Sequence, residues 1–450
     1  MRKFKTQLLV LIPGFVAALC GQVLAETAEN ISDKKLVIVS SFPEKMTAIY
    51  EAAFEEKYPG IDVEVAKKKT TAGLKYLQEN NSVDLFWVSA PDAFEVLKKK
   101  NMLQKYRPKA KGIPRRISGY PVNDPDGFYS GFAAAGYGIM WNREYLQEHE
   151  LEPPTEWVDL TRPEYQGHIG LSAPSRSGTT HLTVEAILQL KGWEPGWALV
   201  KAIAANAKAI TEKSSQVPKG VINGEFGIGI VIDYYGLTAK ANGAPVEFAY
   251  PSATVFVPSG IAVLKESPQP DLAKKFIEFV LSPEGQQLLL HPDISRLPVW
   301  PDAYKSENIP VGYPQPFSAK TLGSHTAFDV QKSRLRYNLV NSLFDVMVTY
   351  RLDDLKRAVK SLQQAERKLL TSSNAVPEVA AALVQGRDLI NYLPVDELTS
   401  YDPKFTGKFR KKRKKISDVI AGEQGEIEKR WDADIQKRYK QSYKIVNASL

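Results

Sequence analysis

Two observations in this 450-residue chain predict an α/β fold. First, an apolar strand-like run ends three times in Ser-x-Pro. The three are Val37-Ile38-Val39-Ser40-Ser41-Phe42-Pro43, Leu85-Phe86-Trp87-Val88-Ser89-Ala90-Pro91 and His168-Ile169-Gly170-Leu171-Ser172-Ala173-Pro174, each followed by a helical pattern. Second, strand and helix patterns alternate from Lys35 to about Pro258, as in folds that layer helices on a sheet. Ligands of such folds sit at the carboxyl ends of the strands, so the serine turns should converge on one cleft.

Taken in order, Leu36–Val39 reads as a buried strand. Glu44 to Lys57 reads as a helix, with Met46, Ile49, Tyr50, Ala53 and Phe54 at helical spacing. Ile61–Ala66 alternates as a strand, and Leu74–Leu77, Val83–Val88 and Phe94–Leu97 continue the alternation. Phe132–Trp141 is Ala/Gly-rich with an apolar exit, the pattern of a chain crossing between lobes, and Ala253–Leu264 resembles the return crossing. Two crossings divide the chain into a discontinuous first lobe (26–131 and 255–310) and an inserted second lobe (132–254). After Pro268 helices take over: Asp271–Val280, a capped helix from Ser282, then Val330–Thr349, Leu352–Ser372 and a segment after Pro377. Residues 311–403 are thus expected to form a C-terminal helical region. Residues 404–450 alternate charge with sparse apolar positions and are expected to be a surface helix or a solvated tail.

Residues 1–25 read as a cleaved secretory signal: Arg2, Lys3 and Lys5, an apolar Leu8–Leu19, and Val23-Leu24-Ala25. Cys20, the only cysteine, lies inside this segment. The mature chain is then expected to lack disulfides, thiolate metal sites and thiol nucleophiles. Net charge is +8. The three basic signal residues and the eight Lys/Arg of 404–415 carry eleven positive charges, which leaves the rest at −3. The basic character is local, and nucleic acid is not an expected partner. His149, His168, His291 and His325 have no metal-ligand spacing, and no catalytic or phosphate-loop motif appears. No cofactor or enzymatic activity is expected.

The richest candidate is Ser175-Arg176-Ser177-Gly178-Thr179-Thr180-His181. A helix starting near Gly178 has no acid before Glu185, so its positive pole and unpaired amides are free for an anion. A plain Ser/Thr cap with a solvated Arg176 is the competing reading. Ser40, Ser41 and Ser89 are candidates for the facing wall. Ser41-Phe42-Pro43-Glu44 also fits a capping box, and Ser89-Ala90-Pro91-Asp92 is a close variant. Tyr137, Trp141, Trp157, Trp193 and Trp197 read as packing residues more readily than as a ligand lining.

Several blocks resemble the extracellular solute-binding proteins of bacterial ABC importers, in the subgroup of ferric-ion, phosphonate, hexose-phosphate and phosphoglycerate binders. They are Ser82-Val83-Asp84-Leu85-Phe86-Trp87, Pro154 to Leu160, Tyr165-Gln166-Gly167-His168-Ile169, Ser177 to His181, Gly227 to Tyr235, and Leu272 to Leu288. Together they span about 35–300. Ser177 to His181 with Asp233-Tyr234-Tyr235 looks most like the organophosphate branch. The resemblance implies a two-lobed periplasmic-binding-protein fold of type II. It implies a periplasmic monomer that takes a small anion to an inner-membrane permease, or reports it to a membrane sensor. Asp233 would then accept ligand hydroxyls and Tyr234 and Tyr235 would complete the site. In ferric-binding relatives adjacent tyrosines ligate the metal, so Tyr234 and Tyr235 also imply a ferric alternative.

Overall fold

The computed structural model describes residues 34–450 apart from 118, 308, 311–312, 315, 318–327, 372–376 and 412. The signal-peptide expectation and Cys20 lie outside the described residues.

One ten-stranded sheet runs through both lobes. In the first lobe, strand Lys34–Ser40 pairs in parallel with Ile61–Lys67 on one side and Leu85–Val88 on the other. The hydrophobic runs of Lys34–Ser40 and Leu85–Val88 are buried on both faces, as parallel sheets require: Leu36 and Ile38 face one core, Val39 and Phe86 the other, while the edge strand Ile61–Lys67 buries only Val63. Asp84 ties the edge of this layer together. It accepts from the Val37 amide at 2.9 Å, the Ser267 hydroxyl at 2.6 Å and the Gln269 amide at 2.8 Å.

The crossings are the strands Ser130–Asn142 and Phe256–Val263, which pair antiparallel. The first half of Ser130–Asn142 lies against the return strand, and Tyr137 to Trp141 lie against Ile228–Ile232 of the second lobe. A side chain at Gly136 would meet Phe256 and Tyr250 carbons at 2.7 Å, which explains the glycine. In the second lobe Ile169–Ser172 pairs in parallel with Ala207–Thr211 and Ile228–Ile232.

Helices Val330–Phe344, Leu352–Thr371, Pro377–Asn391 and Glu423–Ser449 form the C-terminal part, with a π turn at Asp345–Thr349. They share one core with the second lobe: Val184, Trp193 and Trp197 pack in the same cluster as Leu343, Leu362 and Tyr439. The expectation of a solvated tail is therefore corrected. Ile427, Ile435, Tyr439 and Val446 of the 27-residue last helix are buried. Their spacing of eight, four and seven is a narrow apolar stripe that dense charge on the other faces masks. Among the described residues no helix is long and apolar enough to cross a membrane.

Candidate functional site

The first-lobe wall is built by two of the Ser-x-Pro turns. Helices Glu44–Lys57 and Pro91–Lys99 start at Pro43 and Ala90 with no side-chain cap, so the capping boxes expected at Ser41 and Ser89 do not form. The residues at the two cap positions, Pro43 and Ala90, have no side-chain acceptor with which to cap. The Ser41 hydroxyl instead accepts from the Ser89 amide at 3.3 Å, which brings the two turns together. Ser40 is buried and its hydroxyl accepts from the Phe42 amide at 3.2 Å, which shapes the turn rather than facing outward.

The second-lobe wall is the third turn and the helix Gly178–Lys191. Ser177 caps it, accepting from the Thr180 amide at 3.0 Å. Thr180 is buried and shares a 2.5 Å hydrogen bond with Ser172. His181 is buried too, with Nδ1 3.0 Å from Asn341 Oδ1 and its ring against Tyr337. The Arg176 side chain is also buried, 3.5 Å from Glu212 and 3.8 Å from Asp345, and its Nη1 reaches Ser175 at 3.4 Å. Arg176 is therefore neither a solvated cation nor a free one. Gly178 and Thr179 remain accessible. Their amides have no hydrogen-bond partner among the described residues, the first turn holds no acid, and nothing lies within 4 Å of where a Gly178 side chain would start.

Asp233 opens the helix Asp233–Ala241 and is buried. It accepts from the Gly136 amide at 2.6 Å, the Tyr250 hydroxyl at 2.9 Å and the Tyr234 amide at 2.7 Å. Burial pushes its pKa up to about 6, against the pull of those donors. Both oxygens hold donors from the crossing strand and the helix start, Oδ1 one and Oδ2 two. The Tyr234 and Tyr235 rings lie with centroids 4.3 Å apart at a tilt of 32°, and burial pushes the Tyr234 phenol well above its ordinary range. The five aromatic residues Tyr137, Trp141, Trp157, Trp193 and Trp197 are all buried packing groups.

One residue of this region was not visible in the sequence. The Arg296 guanidinium lies 4.1 Å above the Tyr234 ring and 4.8 Å above that of Phe42, between the lobes. The lobes also touch beside it, where Thr238 and Asn242 donate to the Ile294 and Pro292 carbonyls at 3.3 and 3.2 Å. Only burial marks Arg296; an arginine in Ser295-Arg296-Leu297-Pro298 has no sequence signature of its own.

The profile of the bacterial extracellular solute-binding proteins matches residues 80–319. The phosphoglycerate transport regulatory protein PgtC of Salmonella typhimurium is 31% identical over 386 residues, covering 84% of this chain and 90% of that one. The major ferric iron-binding protein of Neisseria meningitidis serogroup B is 29% identical over 242 residues, 51% of this chain and 71% of that one. In fold, the periplasmic binding protein AfuA of Actinobacillus pleuropneumoniae, solved with fructose-6-phosphate bound, superposes with a TM-score of 0.57 at 22% identity. It covers 70% of this chain and 98% of its own. With the profile spanning over half the chain and a relative matched along most of its length, the chain belongs to the bacterial extracellular solute-binding proteins.

Proposed function

We propose that this protein captures a small organic anion, phosphorylated or carboxylated, between its lobes in the periplasm and passes it intact to the permease of an ABC importer. The observation that carries this reading is the bare helix start at Gly178. Among the described residues the Gly178 and Thr179 amides have no hydrogen-bond partner, and the first turn carries no acidic residue. A helix start in this state attracts negative charge. The Ser41–Ser89 contact supplies polar groups from the first lobe, and bending at the two crossing strands closes the lobes on the ligand. PgtC carries phosphoglycerate transport in its name and AfuA was solved with a sugar phosphate, which supports the phosphorylated class. The word regulatory in the first name supports a second output, docking of the loaded form on a membrane sensor.

A ferric reading rests on the adjacent rings of Tyr234 and Tyr235. It requires deprotonated phenols, which burial at Tyr234 opposes.

Thermal unfolding with phosphoglycerate, fructose-6-phosphate, glycerate, inorganic phosphate and Fe³⁺ separates the two. A ligand at about a hundred times its Kd adds ~2.7 kcal/mol of stability, a rise of a few degrees for a chain of this size. The expected result is a rise with a phosphorylated organic anion and a colourless protein. A rise with Fe³⁺ alone, accompanied by visible tyrosinate absorbance, overturns the organic-anion reading.

A further inference from the structure

Arg296 is 3% exposed. Its backbone is fixed from both sides: its amide donates to the Leu289 carbonyl at 2.9 Å, and its carbonyl accepts from the Tyr313 hydroxyl at 2.8 Å. The preceding Ser295 takes a left-handed φ of 44°, a conformation that non-glycine residues adopt at a cost. Its hydroxyl anchors that turn on the Pro292 carbonyl at 3.0 Å. A strained, doubly held turn thus sets one side chain between Phe42 of the first lobe and Tyr234 of the second.

That side chain forms no ion pair among the described residues, and its Nη1 is buried with no hydrogen-bond partner. Asp233 acts on it only through space, since both Asp233 oxygens are occupied by Gly136, Tyr250 and Tyr234. Each of the other buried arginine side chains among the described residues lies within 4 Å of a carboxylate, although Arg176 Nε and Nη2 also lack a hydrogen-bond partner. Arg336 is forked onto Glu185, Arg413 meets Glu428 and Asp345, and Arg176 lies beside Glu212 and Asp345. Burying a charge without a partner is costly, and two aromatic faces offset only part of that cost. A buried charge with no ion pair among the described residues marks a place for a group from outside the chain.

We propose that Arg296 binds the phosphate or carboxylate group of the ligand and that the Phe42 and Tyr234 rings hold the guanidinium ready for it. The inference rests on the organic-anion reading above and gives it a second positive group, drawn from the first lobe's return segment. The planar fork of an arginine matches two oxygens of such a group at once, which a lysine cannot do. The same residue disfavours iron: a trivalent cation ligated by Tyr234 would sit beside a guanidinium already stacked on that ring.

Titration calorimetry of the full chain with phosphoglycerate, set beside the unfolding temperature without ligand, tests the proposal on wild type, Arg296→Gln and Arg296→Lys. The expected result is that Arg296→Gln loses about tenfold to a hundredfold in affinity, while its ligand-free unfolding temperature holds or rises because an unpaired charge is gone. Arg296→Lys should fall between, keeping charge without the fork. Unchanged affinity in Arg296→Gln, with a lowered unfolding temperature, makes the residue a packing group and overturns the proposal. Should Arg296→Gln not fold, Arg296→Lys decides: a loss of more than about fivefold supports the fork, and wild-type affinity overturns it. If wild type binds none of phosphoglycerate, fructose-6-phosphate, glycerate and inorganic phosphate, the organic-anion reading falls and takes this one with it. If wild type binds and Arg296→Gln binds equally, only the Arg296 assignment falls.

Discussion

Lys201 is buried in helix Trp193–Ala205, where its ammonium donates to the Ile390 carbonyl at 2.5 Å and that of Tyr392 at 3.2 Å. It has no ion pair among the described residues, and burial lowers its pKa to about 7. The unfolded chain holds that proton up to about pH 10. Between about pH 7 and about pH 10 the unfolded state therefore binds more protons, and stability rises with pH through this window. Below it the full penalty of the buried charge applies. Urea midpoints should climb from about pH 7 to about pH 9, and Lys201→Met should flatten that slope; an unchanged slope in the variant assigns it elsewhere. Asp233 works in the opposite direction. Its raised folded value of about 6 means that stability falls as pH rises from about 4 to about 6. Neither environment was legible in the sequence. Asp233 was identified by residue type and its place after a strand, which is where ligand groups and helix-start anchors both occur. Ser40 and Ser177 turned inward for the same reason: a short hydroxyl near a turn finds a backbone amide first.

At the scale of elements, the helix Gly178–Lys191 offers the cleanest manipulation. Gly178 is exposed, has an ordinary φ, and has open space where a side chain would grow. Gly178→Asp places a carboxylate on the pole that a ligand is proposed to use. Folding should improve by a few tenths of a kcal/mol up to ~1, while affinity for phosphoglycerate drops by about tenfold or more. Equal affinity in the variant removes this helix start from the site. The strands and this helix were readable because their periods are simple and their faces are buried on both sides. The register of the two turns at Ser41 and Ser89 was not, because it depends on strands about 50 residues apart in sequence becoming neighbours. The π turn at Asp345–Thr349 was likewise hidden. Its wider coil sets Asp345 against Arg413 and Arg176, a contact decided by tertiary packing and not by any local pattern.

The whole molecule is joined across its cleft by helix Val330–Phe344. On the second lobe Arg336 is forked onto Glu185 and Asn341 meets His181. On the first lobe Arg334 reaches Asp92 at 3.0 Å and Glu95 at 3.9 Å. Partly exposed pairs of this kind are worth ~0.2–1 kcal/mol, enough to bias a hinge without locking it. Arg334→Ala should raise the radius of gyration seen by small-angle scattering without ligand and speed ligand release about two- to fivefold. No change in either means that the contact does not restrain the lobes. The two-lobed outline was legible from the paired crossings; the bridging helix was not, since nothing local in Ser333-Arg334-Leu335 tells which lobe each side chain will face. Because the last four long helices are fused to one lobe by a common interior, they swing with it as a rigid appendage. On the proposed closure, the gap between their outer surface and the opposite lobe would change with occupancy, so a membrane protein touching both would sense the cargo without contacting it.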